Sequence, residues 1–180
     1  MKLIQGPNDE PLSVDEVLEN LRIDHNIENG LLSALIVAAR EYAEKYTGLR
    51  LISQVWEFDF SVFELQLIPK YGPLIEVQKI EYLDPEGQPQ TMPETQYRFV
   101  SVQSSVGCIV PTVGNVWPQI MEGPGAVTVT AEVGFGDAED IPQTIKQAMH
   151  LHIAHFYENR SDGDLPSAVE HLLHPYKTYA

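Results

Sequence analysis

Leu35-Ile36-Val37-Ala38-Ala39-Arg40-Glu41-Tyr42-Ala43-Glu44-Lys45-Tyr46-Thr47-Gly48, followed after a short link by Val55-Trp56-Glu57-Phe58-Asp59-Phe60, is where the chain changes its period. Up to Thr47 the apolar residues Leu31, Leu32, Leu35, Ile36, Ala39, Tyr42, Ala43 and Tyr46 return at helical spacing. They predict a helix from roughly Gly30 to Thr47 with Gly48 as its stop. Beyond Gly48, Trp56, Phe58 and Phe60 share one face and acidic residues the other, which is the alternation of a strand. The chain is therefore helical before this point and β-structured after it.

Towards the N-terminus, Ser13 followed by Glu16 has the spacing of a capping box, and Val14, Val17, Leu18 and Leu21 line one face of the helix it opens. Asp24 to Asn29 is a polar link. Towards the C-terminus, strands are predicted at Leu65 to Ile68, Ile75 to Leu83, Tyr97 to Val102, Cys108 to Pro111 and Ala126 to Val133. Asp84-Pro85-Glu86-Gly87 and Glu122-Gly123-Pro124-Gly125 are turn signals between them. Connections this short favour antiparallel neighbours. From Asp140-Ile141-Pro142 the helical period returns through Ile145, Ala148, Met149, His152, Ile153 and Phe156. A polar loop at Asn159 to Asp164 precedes a short helix near Pro166-Ser167 that carries Val169, Leu172 and Leu173 and ends at Pro175. The expected class is α+β: a helical core of two N-terminal and two C-terminal helices, at 1–48 and 140–180, interrupted by an antiparallel β subdomain at 50–135, all in one domain spanning 1–180.

The 180 residues are 43% hydrophobic and 9% aromatic, enough apolar surface to offset the entropy of ordering the chain. Twenty-six acidic residues against 11 basic ones give a net charge of -15, spread along the sequence. Affinity for nucleic acid comes largely from Lys and Arg displacing counterions, so this balance disfavours a grip on DNA. It suits a surface past which DNA must slide without sticking. Cys108 is the only cysteine, so no intrachain disulfide forms, and its apolar neighbours Ile109 and Val110 read as those of a small core residue. No apolar run of signal-peptide or membrane-spanning length occurs, so synthesis and assembly in a cytoplasm are expected.

Five of the six histidines fall near the C-terminus. His152 and His155 are three apart, as are His171 and His174, and two such pairs facing one another would supply imidazole ligands to a metal. His150 accompanies them. Against this, His152 falls on the apolar stripe with Met149 and Phe156, and no carboxylate stands where zinc-protease motifs require one. Asp137, Glu139 and Asp140 precede a helix and are accounted for by its dipole, without a cation. Gly134-Phe135-Gly136 lacks a third glycine and a following lysine, so a bend ending a strand suffices. Ser104 and Ser105 have no nucleophile-elbow pattern around them. Trp117 reads as a packed loop aromatic. Catalytic residues, cofactor sites and metal sites are accordingly expected to be none.

Four stretches carry a resemblance. They are Leu12-Ser13-Val14-Asp15-Glu16-Val17 with Leu21-Arg22-Ile23-Asp24; Leu35 to Gly48 continuing into Gln54-Val55-Trp56; Val133-Gly134-Phe135-Gly136-Asp137 through Ile141-Pro142 and Ile145-Lys146-Gln147-Ala148 to His155-Phe156-Tyr157-Glu158-Asn159-Arg160; and Leu172-Leu173-His174-Pro175-Tyr176. Together they resemble the head-tail connector family of tailed bacteriophages, also called head-completion or adaptor proteins. The resemblance implies a virion protein forming a homo-oligomeric ring, a dodecamer, beneath the portal protein at the head-tail junction. Such a ring extends the DNA channel, lets DNA pass without specific binding, and offers a platform to the next neck or tail-completion protein. It further implies that Leu172, Leu173, Pro175 and Tyr176 dock on the portal, in a segment mobile until then and removable without loss of the fold. Glu41 and Glu44 are expected on the negative channel wall. Two other readings stand beside this one: a small metal-binding enzyme using the C-terminal histidines, and a monomeric acidic protein-binding module. Ring formation argues against both.

Overall fold

The computed structural model describes residues 1–25, 27–101, 106–159 and 164–178. Its elements in chain order are β1 (Lys2–Gln5), α1 (Val14–Leu21), α2 (Asn29–Thr47), β2 (Gln54–Phe60), β3 (Leu74–Leu83), β4 (Pro89–Thr91), β5 (Tyr97–Val100), β6 (Cys108–Pro111), β7 (Val127–Val133), α3 (Gln143–Glu158) and α4 (Ser167–Leu173). The fold is α+β, a helical core interrupted by antiparallel β structure, as the two changes of period predict. Ser104, Ser105, Val102, Asn26 and residues 160–163 of the polar loop lie outside the described residues.

The helices form where local chemistry starts and stops them. Ser13 caps α1: its hydroxyl accepts from the Glu16 amide at 3.2 Å, and the Glu16 carboxylate accepts from the Ser13 amide at 2.7 Å. Leu12 and Val17, on either side of this cap, are both buried in the helical core, the arrangement of a hydrophobic staple. Along α2, Leu32, Ile36, Ala39, Ala43 and Thr47 face inward. Gly48 ends the helix at φ +78°, and a side chain there would also collide with the Thr178 hydroxyl. Ile145, Ala148, Met149 and Ile153 of α3, with Val169 and Leu173 of α4, complete one core with Leu51 and Ile52 from the link after α2.

The five-stranded sheet has the order β1-β2-β7-β3-β4, every pair antiparallel. β7 lies at its centre because it alone carries an uninterrupted alternation of small β-branched and apolar residues, with Val127, Val129, Ala131 and Val133 all buried. They meet Phe58, Ile80 and Val77, and the separate β5–β6 pair closes this face with Tyr97 and Ile109 to make a second core. The opposite face is wet. Gly134 leaves β7 at φ +140°, and a Cβ there would approach the Ile52 carbonyl oxygen to 2.6 Å, so the strand passes directly against the link between the two cores.

Three differences from the sequence reading have physical causes. Lys2–Gln5, within the stretch read as helical, is an edge strand paired to β2; it is four residues long and exposed throughout, so no local periodicity announces it. β4 is a three-residue edge strand led by Pro89, tolerable because only one side of it needs a partner. The segment Leu65 to Ile68 is not a strand but makes one bridge, Leu67 with Ile109.

Candidate assembly surfaces

Where α2 meets the sheet, Glu44 is buried at the centre of an ion-pair junction. Its carboxylate accepts from Arg50 Nη1 at 3.2 Å, Arg40 Nη1 at 3.5 Å, the Leu51 amide at 3.0 Å and Gln54 Nε2 at 3.1 Å. Arg40 is held a second time, through two nitrogens, by Glu10 at 2.8 and 3.2 Å. Gln54 accepts in turn from the Trp56 indole at 3.0 Å. Burial pushes the Glu44 carboxyl above its ordinary pKa even though the Leu51 amide and both arginines pull it down. The junction thus joins α2, the link and β2 through polar contacts that withstand desolvation only while all members are present.

Beside it opens a cleft of about 600 Å³ bordered by Arg40, Lys45, Arg50, Lys70, Trp56 and Tyr71. The Arg50 guanidinium lies over the Tyr71 ring, its Cζ 3.5 Å from the centroid, and 5.1 Å from that of Trp56.

The solvent face of the sheet is acidic. Antiparallel registers set Glu132 opposite Val55 and Glu76, Asp59 and Glu81 opposite Thr128, and Glu57 opposite Thr130. Lys2 and Lys79 are the cations paired into the same rows. Glu132 and Glu76 meet as like charges directly opposite, which costs some stability, while Lys2 faces Glu57, Lys79 pairs with Glu81 at 2.6 Å and the N-terminal ammonium pairs with Asp59. At the end of the sheet far from the helices, Leu65 and Val113 are each 94% exposed and Val116 85% exposed. The Leu67–Ile109 bridge holds the two loops that carry them side by side, and Phe63 stacks on Trp117 between them at 4.7 Å. Trp117 is thus packed, as read from sequence.

The predicted site residues fare unequally. Glu41 is exposed on α2, whereas Glu44, expected on the same wall, points into the protein. Of the C-terminal set, Leu173 is 0% exposed and belongs to the molecule's own core, Leu172 and Tyr176 are half-buried against it, and Pro175 is exposed. The segment is further tied down by the Thr178 amide, which donates to the Thr47 carbonyl at 2.7 Å. The expectation of a segment removable without loss of the fold is therefore corrected. Asp137 and Asp140 cap a short 3-10 turn, Asp140 accepting from the Asp137 amide at 3.1 Å. Cys108 is half-buried rather than a core residue. Among the described residues no group of three His, Cys, Asp or Glu side chains is placed to hold a metal ion, and no helix is long and apolar enough to cross a membrane.

His152 is buried between Tyr42, 5.2 Å away on α2, and Phe156, 4.9 Å away on α3, and its Nδ1 has no hydrogen-bond partner. Burial, with a smaller contribution from His155, lowers its pKa to about 4. The unfolded chain therefore binds this proton more readily than the folded one. Stability associated with neutral His152 is fully present above the ordinary histidine range and is lost as pH falls from about 6.5 towards 4. We expect the loss to be about 2 kcal/mol, less than the full shift would give because a charged ring can turn towards water. Thermal unfolding at pH 7 and pH 4.5 checks this: His152→Leu should lose less stability on acidification than the native chain. Equal losses would show that other groups control the acid response.

Residues 11–95 match the model of the phage gp6-like head-tail connector protein family. No curated protein sequence matches the chain. Among solved structures, a chain in the neck of an empty gene transfer agent (GTA) particle computed with C6 symmetry superposes with a TM-score of 0.79 at 23% identity, covering 100% of this chain and 97% of the other. A chain in the virion of a native GTA particle gives 0.80 at 22% identity over 99% and 95%. One in the neck of a native GTA particle computed with C12 symmetry gives 0.74 at 22% over 100% and 97%. At these identities the likeness establishes a common fold, and residues 11–95, from the α1 cap through β4, are similar in sequence to the phage gp6-like head-tail connector protein model.

Proposed function

We propose that this chain is a structural neck protein of a tailed-phage or phage-like particle, a single connector domain that forms a homo-oligomeric ring beneath the portal. The ring extends the DNA channel and presents a platform to the next neck or tail-completion protein; it assembles in the cytoplasm of the bacterial host. One observation carries the reading: the connector-family match lies on a chain whose whole length has the fold of chains found in particle necks. The net charge of -15 supports it, since a channel wall must repel the DNA that passes. Exposed Glu41 and the acidic sheet face are the surfaces suited to that wall. Leu172, Pro175 and Tyr176 remain the candidates for portal contact.

Native mass spectrometry of the purified chain over a range of concentrations is the test, followed by electron microscopy of any ring. The expected outcome is a metal-free ring of about a dozen subunits, formed alone or on addition of portal, with Glu41 or the sheet face turned inward. A chain that stays monomeric with and without portal would sink the proposal, and one metal held per monomer would favour an enzyme built on the histidines.

A further inference from the structure

Four of the chain's 11 Lys and Arg side chains, Arg40, Lys45, Arg50 and Lys70, border the single cleft beside the Glu44 junction. Two of these cations are already neutralised. Glu10 holds Arg40 through two nitrogens, and the Glu44 carboxylate is committed to four donors, one of them on Arg50. The other two are not: Lys45 and Lys70 are exposed and neither pairs with a carboxylate among the described residues. Glu41 also borders the cleft and is the only acid there without committed donors.

Arg50 adds a second, independent feature. It is only 9% exposed, it is fixed by stacking on Tyr71, and its Nε is a buried donor with no acceptor. A buried N–H left unpaired is costly, and a guanidinium held flat against an aromatic ring is already oriented for a planar anion. The stacked guanidinium and two ammonium groups without a carboxylate partner, Lys70 Nζ lying 5.9 Å from the Tyr71 centroid, give the cleft a cationic lining of the kind that carboxylate or phosphate groups bind. The chain's overall charge discriminates between these. A surface of -15 repels a polyanionic nucleic acid as a whole, whereas one acidic protein segment can enter locally.

We infer that this cleft receives a carboxylate-bearing segment of a second copy of the chain, with Lys45 and Lys70 as its charge partners and Arg50 as the stacked donor. Copies carrying -15 each repel one another, so their association needs a place where scarce cations of one meet plentiful carboxylates of the next. The identity of the occupant rests on the ring reading above; the chemistry of the cleft does not.

The test uses the full chain, a fluorescent hexaglutamate peptide and, for comparison, a hexathymidylate. Lys45→Glu with Lys70→Glu removes the free charges, and Lys79→Glu with Arg98→Glu changes net charge equally at exposed positions away from the cleft. The expected result is saturable, salt-sensitive hexaglutamate binding, weakened roughly tenfold more by the cleft pair than by the control pair. Equal effects of the two pairs, no binding by the native chain, or tighter binding of hexathymidylate would each overturn the carboxylate cleft. The same proteins are then compared for assembly. Loss of rings in the cleft pair alone identifies the second copy as occupant, and rings that persist in it overturn that assignment. A native chain that forms no ring with or without portal sinks the ring reading and the occupant together, while the hexaglutamate result still judges the cleft.

Discussion

Replacing Glu44 by alanine is expected to lower the free energy of unfolding by about 3–5 kcal/mol, because it leaves buried cations without their counter-charge. The loss does not fall equally on the two arginines. Arg40 keeps its two-nitrogen contact with Glu10, whereas Arg50 keeps only its stacking on Tyr71 and Trp56. The Leu51 amide and Gln54 Nε2 lose their acceptor as well. Glu44→Gln should be milder, about 1–2 kcal/mol, since an amide oxygen still accepts from those neutral donors. The raised pKa of Glu44 points the same way: burial opposes its charge more strongly than its partners support it. Urea denaturation of the native chain and both variants measures the order. If alanine and glutamine cost the same, or alanine costs under about 1 kcal/mol, the junction is not holding α2 to the sheet.

The misplacement of Glu44 shows how far the sequence could be read. Ile36, Arg40, Ala43, Glu44 and Thr47 lie on one face of α2, and all five are buried. The phase of the helix was therefore available, and Arg40 with Glu44 at four-residue spacing was a signal that this face closes over an ion pair. Treating both glutamates as solvated charge hid it. The acidic sheet face was legible only in part. Glu57 and Asp59 alternate with aromatics in plain view, but their alignment with Glu76, Glu81 and Glu132 depends on β7 pairing between β2 and β3, a long-range register that no local pattern specifies. Helices, capping box and the change of period are local and were read correctly. β1 and the cationic cleft are made by residues far apart in sequence, Leu3, Arg50 and Lys70 among them, and had no local signature.

The same distinction separates fold from function in the C-terminal segment. Val169 and Leu173, four residues apart on α4, are 1% and 0% exposed, in the core shared with α2 and α3. Leu173→Ala should therefore cost about 3–5 kcal/mol, the range for a large aliphatic side chain removed from a close-packed site. Deleting everything after Ser167 removes both side chains and the Thr178 contact to Thr47, and should bring the chain to the margin of a typical domain's stability. Loss of portal binding in that truncation would consequently say nothing about docking. Side chains that leave the core intact are the proper probes. Pro175 is exposed and Leu172 and Tyr176 are half-buried, so Leu172→Ser combined with Tyr176→Ala should cost roughly 1–2 kcal/mol while removing apolar surface a partner would cover. Calorimetric melting and portal co-sedimentation of the two variants separate the roles. A Leu173→Ala protein that melts like the native chain would return α4 to the status of an appendage, and a Leu172→Ser, Tyr176→Ala protein that still co-sediments with portal would move the docking surface elsewhere.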